Sequence, residues 1–187
     1  NIMWRMDVTP FDDIRVRRAL KMAVNRDAIV KGYYHGWGDK FAWPVSPDWD
    51  GIYVPLEQQS EQVQQDYTYN PEMAKQLLAE AGYPNGFKTE IVCPSVFINQ
   101  LSLWISYWDA IGVKCKLRPA EIASFYNEVY VTGLYPQMYA STHAIIEPES
   151  GLATATGSLA QMIQHFEDRW ALEAVDLLYL DREFEED

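Results

Sequence analysis

Phe87-Lys88-Thr89-Glu90-Ile91-Val92-Cys93, then a helix-spaced run from about Val96 to Ile111, then Val113-Lys114-Cys115-Lys116-Leu117, decides the fold. The first segment reads as a strand. The middle run places Leu101, Trp104, Ile105, Trp108 and Ile111 three and four residues apart, so they line one side of a helix that Gly112 ends. The last segment alternates apolar residues with Lys114 and Lys116, the signature of a half-buried strand. Strand, helix and strand with short joints imply a right-handed parallel crossover. The expected class is α/β, with β-α-β units whose helices pack on a mixed sheet.

Upstream of this unit lies the clearest helix of the chain. Asn70 is its cap, Pro71 and Glu72 occupy the first turn, and Gly82 closes it. Ala74, Leu77, Leu78 and Ala81 form its buried stripe. Nearer the start, residues 1–11 read as extended, and Asp12 and Asp13 supply a cap and first-turn charge. Val16, Ala19, Leu20, Ala23 and Val24 then recur at helical spacing. Asn25 restarts the pattern for a second helix carrying Ile29, Val30, Tyr33 and Tyr34, which Gly36 ends. His35 falls on this helix. Residues 36–69 read as one long, aromatic-rich loop. Loops of that length in a compact domain are functional or disordered, and Trp37, Phe41, Trp43 and Trp49 argue against disorder.

Downstream, a helix over about Ala120–Thr132 is expected to bury Ile122, Phe125 and Val129. A strand near Gln137–Thr142 follows Gly133 and Tyr135-Pro136. Leu159–Tyr179 reads as helical and carries the isolated His165; an acidic end follows.

Composition limits the function. The chain has 187 residues, room for one domain with some decoration, and 48% of them are hydrophobic, enough for a core. A net charge of −12 without basic blocks excludes nucleic acid, whose phosphates would repel it. Arg15, Arg17, Arg18 and Lys21 form the one basic concentration, expected as a solvated helix face. No apolar run approaches the roughly 20 residues that span a bilayer. Asn1-Ile2-Met3-Trp4-Arg5 lacks the features of a signal peptide. Cys93 and Cys115 fall in two strands of one unit, either as free buried thiols or as a disulfide. No G-x-S-x-G, H-E-x-x-H or P-loop motif is present.

Four segments, in order, carry a resemblance. They are Phe11-Asp12-Asp13-Ile14-Arg15-Val16-Arg17-Arg18-Ala19-Leu20 with Ala23-Val24-Asn25-Arg26; Tyr69-Asn70-Pro71-Glu72-Met73-Ala74-Lys75-Gln76-Leu77-Leu78-Ala79-Glu80-Ala81-Gly82-Tyr83; Trp108-Asp109-Ala110-Ile111-Gly112-Val113; and the spacing of Leu117, Glu121, Phe125, Gly133 and Tyr135. Together they resemble family 5 extracytoplasmic solute-binding proteins, over about residues 10–150. The resemblance implies that residues 1–187 are the C-terminal lobe of a longer, two-lobed protein with a type II periplasmic-binding-protein-like fold. The ligand, peptide-like or another small solute, would lie between the lobes and be delivered to the transmembrane permease subunits of an ABC importer. The missing N-terminal lobe would carry many contacts and any membrane attachment, and the location would be periplasmic or extracellular. A ligand sensor or peptide chaperone on the same fold would look alike in sequence.

The resemblance also implies contacts at Tyr139, Ser141, Thr142 and His143, where the strand reaches the cleft. Peptide-binding members carry an Asp in that segment. Here Thr142-His143-Ala144-Ile145-Ile146 holds no acid until Glu147, which points to a neutral or anionic ligand or to one held mostly by the other lobe. His143 reads as a structural histidine, a ligand contact or a metal ligand. Trp37, Phe41, Trp43 and Trp49 either stack on a ligand or cover the core. The position of Ile122 is frequently a Trp near the ligand in the family; as an aliphatic residue it reads as core. No metal, no cofactor and no catalysis are expected, the competing reading being a hydrolase using His143 and Glu147.

Overall fold

The computed structural model describes residues 2–41, 47 and 53–140. Its elements are β1 (Ile2–Trp4), α1 (Ile14–Met22), α2 (Arg26–Gly32), α3 (Glu61–Tyr67), α4 (Pro71–Glu80), β2 (Lys88–Pro94), α5 (Ile98–Ala110), β3 (Lys114–Ala120), α6 (Ile122–Tyr126) and β4 (Met138–Ala140). Short 3-10 turns cover Leu56–Gln58 and Ser95–Phe97, and a π-helical turn covers Asn127–Thr132. The sheet order is β1-β4-β2-β3. β2 runs parallel to β3 and to β4, and β1 runs antiparallel to β4. The expected α/β class with a mixed sheet is the one observed.

Alternation along the strands divides the core in two. Ile91 and Cys93 of β2, Met138 and Ala140 of β4, and Cys115 and Leu117 of β3 join one cluster with α1, α2, α4 and α5. Val92 and Tyr139 point the other way and join Phe125, Val129 and Tyr135. The period of two that makes a strand two-faced therefore assigns each residue to its layer.

The helix-covered face is fixed by a few directed contacts. Trp108, fully buried on α5, donates its indole N–H to the Leu20 carbonyl in the last turn of α1 at 3.0 Å. Trp4, Phe11, Phe87 and Tyr83 form a chain of rings with centroids 5.3–6.1 Å apart, joining β1 to the entry of β2. Asn70 caps α4 by accepting from the Met73 N–H at 3.0 Å. The turn into β2 meets the exit of α5 backbone to backbone. A Cβ added to Gly86 would lie 2.0 Å from the Gly112 carbonyl oxygen, and both glycines have positive φ (72° and 88°). Only glycine fits such an approach.

Several sequence expectations are corrected, and the open alternative at the two cysteines is decided. The stretch 36–69 is not one loop, since Glu61–Tyr67 forms α3, capped by Ser60. Its glutamines are polar, but Val63 packs inward and Asp66 binds Arg18 at 2.8 Å and the Gln62 amide at 3.0 Å. The basic face of α1 is not uniformly solvated. Arg17 is 5% exposed, and its guanidinium donates to the carbonyls of Phe11 at 2.6 Å and Asp12 at 3.3 Å. Those carbonyls belong to the turn before α1, and buried backbone acceptors require a donor. Arg15 instead pairs with Asp13, the α1 cap. α2 ends at Gly32, so Tyr33 and Tyr34 lie beyond its last helical residue and His35 sits at φ 54°. Cys93 and Cys115 are free thiols. The register sets Cys115 opposite Thr89 and Cys93 opposite Pro119, four residues apart along the strands. At roughly 3.3 Å per residue that is about 13 Å, beyond the reach of a disulfide. Ile122 is 57% exposed, not core. Glu121 caps α6 by accepting from the Ala123 and Ser124 N–H groups, so Ile122 opens the helix at its exposed end while Phe125 and Val129 take the buried positions.

Candidate functional site

At the carboxyl ends of β2 and β3 the chain departs in opposite directions. After β2 it turns through Ser95–Phe97 into α5, which packs on the helix-covered face. After β3 it turns through Glu121 into α6, which packs on the other face and returns the chain past β2 to β4. Pro94 and Ala120 are register partners, so these departures start side by side. In open α/β sheets, such a point of divergence beyond the carboxyl ends is where ligands bind.

The side chains there are apolar and open. Val96 is 76% exposed, and Ile122 and Tyr126 are each 57% exposed. Tyr130 continues the line at the same four-residue spacing, partly exposed, and Leu134 follows, 75% exposed. Under this stripe lies a packed set of rings. Phe125 meets Tyr126, Tyr130 and Tyr139 at 6.0–6.2 Å, Tyr130 meets Tyr139 at 5.8 Å, and Tyr135 meets Tyr139 at 4.9 Å. Edge-to-face contacts of this kind hold rings in place. Burial pushes the Tyr139 and Tyr135 phenols far above the usual range, with neighbouring tyrosines adding to it, so both stay neutral hydrogen-bonding groups.

On the same face as the rings, and more open to solvent than the buried ones among them, a charged network ties the sheet to the π-helical turn. Arg118 on β3 forks onto Glu128, one N–H donating to Oε2 at 2.9 Å and the other to Oε1 in a still closer contact. Its Nε donates to Glu90 of β2 at 2.8 Å, and Lys116 approaches Glu90 at 3.5 Å. The Arg118 guanidinium holds the Glu128 carboxyl below its ordinary value. At the start of β4, the Gln137 side-chain oxygen accepts from the Thr89 hydroxyl at 2.8 Å and the Glu90 N–H at 3.2 Å.

The expected contact residues fall in three places. Trp37 is 83% exposed, in the turn after α2, on an element of the helix-covered face. Phe41 is buried with its ring against Tyr67 at 4.8 Å and Tyr53 at 6.4 Å, where it covers the core beside α3. Tyr139 is 3% exposed and supports the ring cluster from below. The structure thus does not bring Trp37 and Tyr139 to one surface. Trp43, Trp49, Ser141, Thr142, His143 and Glu147 lie outside the described residues. Val96, Tyr126 and Tyr130 escaped the sequence reading. The four-residue spacing of Ile122, Tyr126, Tyr130 and Leu134 was a signal for them, masked by the equally regular Phe125 and Val129. Among the described residues no cluster of three His, Cys, Asp or Glu could hold a metal ion, and no helix is long and apolar enough to cross a membrane.

Known proteins are similar to this chain in sequence and in fold. The chain is similar to heme-binding protein A of Haemophilus influenzae, 38% identical over 120 residues, which cover 60% of this chain and 20% of that protein. It is also similar to the dipeptide-binding protein of Escherichia coli, 40% identical over 90 residues, covering 48% of this chain and 15% of that protein. The chain thus spans about a fifth or less of these curated relatives. The ABC transporter-associated periplasmic binding protein DppA from Helicobacter pylori, solved in complex with the peptide STSA, superposes with a TM-score of 0.64 at 26% identity, over 82% of this chain and 28% of that one. HbpA2 from Haemophilus parasuis gives 0.56 at 32% identity, over 74% and 27%. The fold is that of part of a type II periplasmic binding protein. Residues 1–160 match the profile of bacterial extracellular solute-binding proteins, family 5 Middle, and the chain belongs to that family.

Proposed function

We propose that this chain is the C-terminal lobe of a two-lobed solute-binding protein that captures a small ligand and hands it to an ABC permease. The observation that carries this reading is the open apolar rim of Val96, Ile122 and Tyr126 at the point where the connections of β2 and β3 diverge. An exposed apolar surface on a rigid sheet end, rimmed by polar residues, marks a binding surface. The rings beneath it are fixed before any ligand arrives, which lowers the ordering cost of binding.

The relatives named for heme and dipeptide binding support a ligand that is peptide-like or another small solute. The rim would seat its apolar part, while the missing N-terminal lobe would close over the polar part. The reading requires a periplasmic or extracellular setting, with membrane attachment through the missing lobe, and transmembrane permease subunits as partners. It involves no catalysis. The contacts expected of Trp43, Trp49, Ser141, Thr142 and His143 belong to the same proposal, whereas Trp37, on an element of the helix-covered face, would meet a ligand only away from the rim.

Native mass spectrometry of the full-length gene product, purified without denaturation, tests the reading. A small molecule that copurifies, and that is lost when Ile122 is replaced by Asp, is the expected result. Copurification unaffected by that change, or turnover of an added ester, peptide or glycoside, would sink it.

A further inference from the structure

The π-helical turn Asn127–Thr132 interrupts what would otherwise be a continuation of α6, and its geometry centres on one residue. The Glu128 carbonyl accepts from the Thr132 hydroxyl at 3.0 Å, from the Gly133 N–H and from the Leu134 N–H at 3.0 Å. The Glu128 side chain is held at the same time by the fork of Arg118. Both ends of this residue are therefore committed, the backbone to the turn and the carboxylate to the sheet. Tyr126 and Tyr130 flank it two residues to either side, their rings 5.2 Å apart. π-helical turns concentrate at functional sites because they displace the side chains that follow out of regular helical phase.

We propose that the Arg118–Glu128 pair is a positioning device for ligand binding, which locks the π-helical turn to β3 and so sets the Tyr126–Tyr130 rim. The inference rests on the rim being the ligand surface. Arg118 suits the task because a planar guanidinium makes two parallel bonds and fixes orientation as well as distance. A lysine supplies charge without the fork. Glu90 receives the third arm, so Arg118 is itself held from β2 and cannot swing with the turn. The charged groups facing Glu128 are Arg118 on β3, then Glu90 on β2 and Lys116 on β3, which share its face of the sheet.

The test uses the full-length gene product, with the apolar dye ANS as probe and amide hydrogen exchange as structural readout. Glu128→Ala and Arg118→Lys should speed exchange at Gly133 and Leu134 at least tenfold and leave Val92 unchanged. Both should weaken ANS binding at least fivefold, with Glu128→Gln intermediate. Lowering the pH through the depressed Glu128 titration should reproduce the weakening in the wild type and not in Glu128→Gln. ANS affinity within twofold of wild type in all three variants, or faster exchange spread evenly over the sheet, overturns the device. Ile122→Asp separates the two layers of the argument. If it abolishes ANS binding while Glu128→Ala does not, only the device fails. If it leaves ANS binding intact, the rim reading fails as well.

Discussion

The two faces of the sheet are built on different principles. One is closed by α1, α2, α4 and α5 over aliphatic side chains and Trp108, with glycine contacts bringing backbones together. The other is covered by a short helix and a π-helical turn over a set of tyrosines, with a charged network on the same face. The first buries its aliphatic stripes almost completely, with Ala74, Leu78, Ile91 and Trp108 all at or near zero exposure. The second leaves a line of apolar surface open at Ile122, Tyr126 and Leu134. Burial gives the first face its stability, and under the proposed function fixed ring geometry would give the second its surface for a ligand. The contrast predicts that damage to the helix-covered face unfolds the protein, whereas damage to the open line leaves the fold intact.

The largest effect is expected at Trp108. Replacement by Ala removes a fully buried indole and leaves the Leu20 carbonyl without that donor, a loss of about 4 kcal/mol. Denaturant unfolding should show the lower midpoint, and retention of the wild-type midpoint would break the assignment of α5 to the core. Gly86→Ala comes next, at about 3 kcal/mol, because its Cβ would collide with backbone at Gly112 and its φ is positive. The same melt should show Gly32→Ala as neutral, since no atom lies within 4 Å of a Cβ there.

Alkaline pH sharpens the comparison from the other side. Tyr135 and Tyr139 are raised above the ordinary phenol value by burial. A raised folded value means that the unfolded chain releases its protons first. Their contribution is complete below about pH 10 and is lost as pH climbs from there toward the raised values, by about 1.4 kcal/mol per unit per phenol. Absorbance of tyrosinate should therefore rise in two stages, exposed phenols first and this pair only on unfolding. The thiols on the opposite face behave in parallel. Burial, with help from Glu90, pushes Cys115 up to about 12, so it should resist a thiol reagent at neutral pH until the sheet opens.

Periodicity reveals the helix-covered face better than the open one for a physical reason. Ala74, Leu77 and Leu78, or Leu101 and Trp108, are apolar because they are buried, and spacing alone finds them. On the open face, Ile122 and Phe125 are both apolar, yet one is exposed and the other enclosed, and hydrophobicity cannot tell a core contact from a ligand contact. Arg17 shows the converse. Its charge reads as solvent-facing, but the carbonyls of Phe11 and Asp12 draw it inward, and those acceptors are defined only once the turn before α1 exists. The partner of Glu128 is hidden for a similar reason, because Arg118 stands ten residues away on another element.

Only a small stability effect is expected at Ile122, and it discriminates most. A residue 57% exposed at the start of a helix contributes little to the core, so Ile122→Ser should shift unfolding by less than about 0.5 kcal/mol. Under the proposed function the same change should still weaken ligand capture, because it places a hydroxyl where the apolar part of the ligand would sit. A stability loss of about 2 kcal/mol would mean that Ile122 packs after all and that the exposed line is shorter than drawn. Unchanged stability with unchanged capture would move the ligand away from the divergence of β2 and β3. Loss of capture at constant stability is the outcome that only an exposed, functional Ile122 produces.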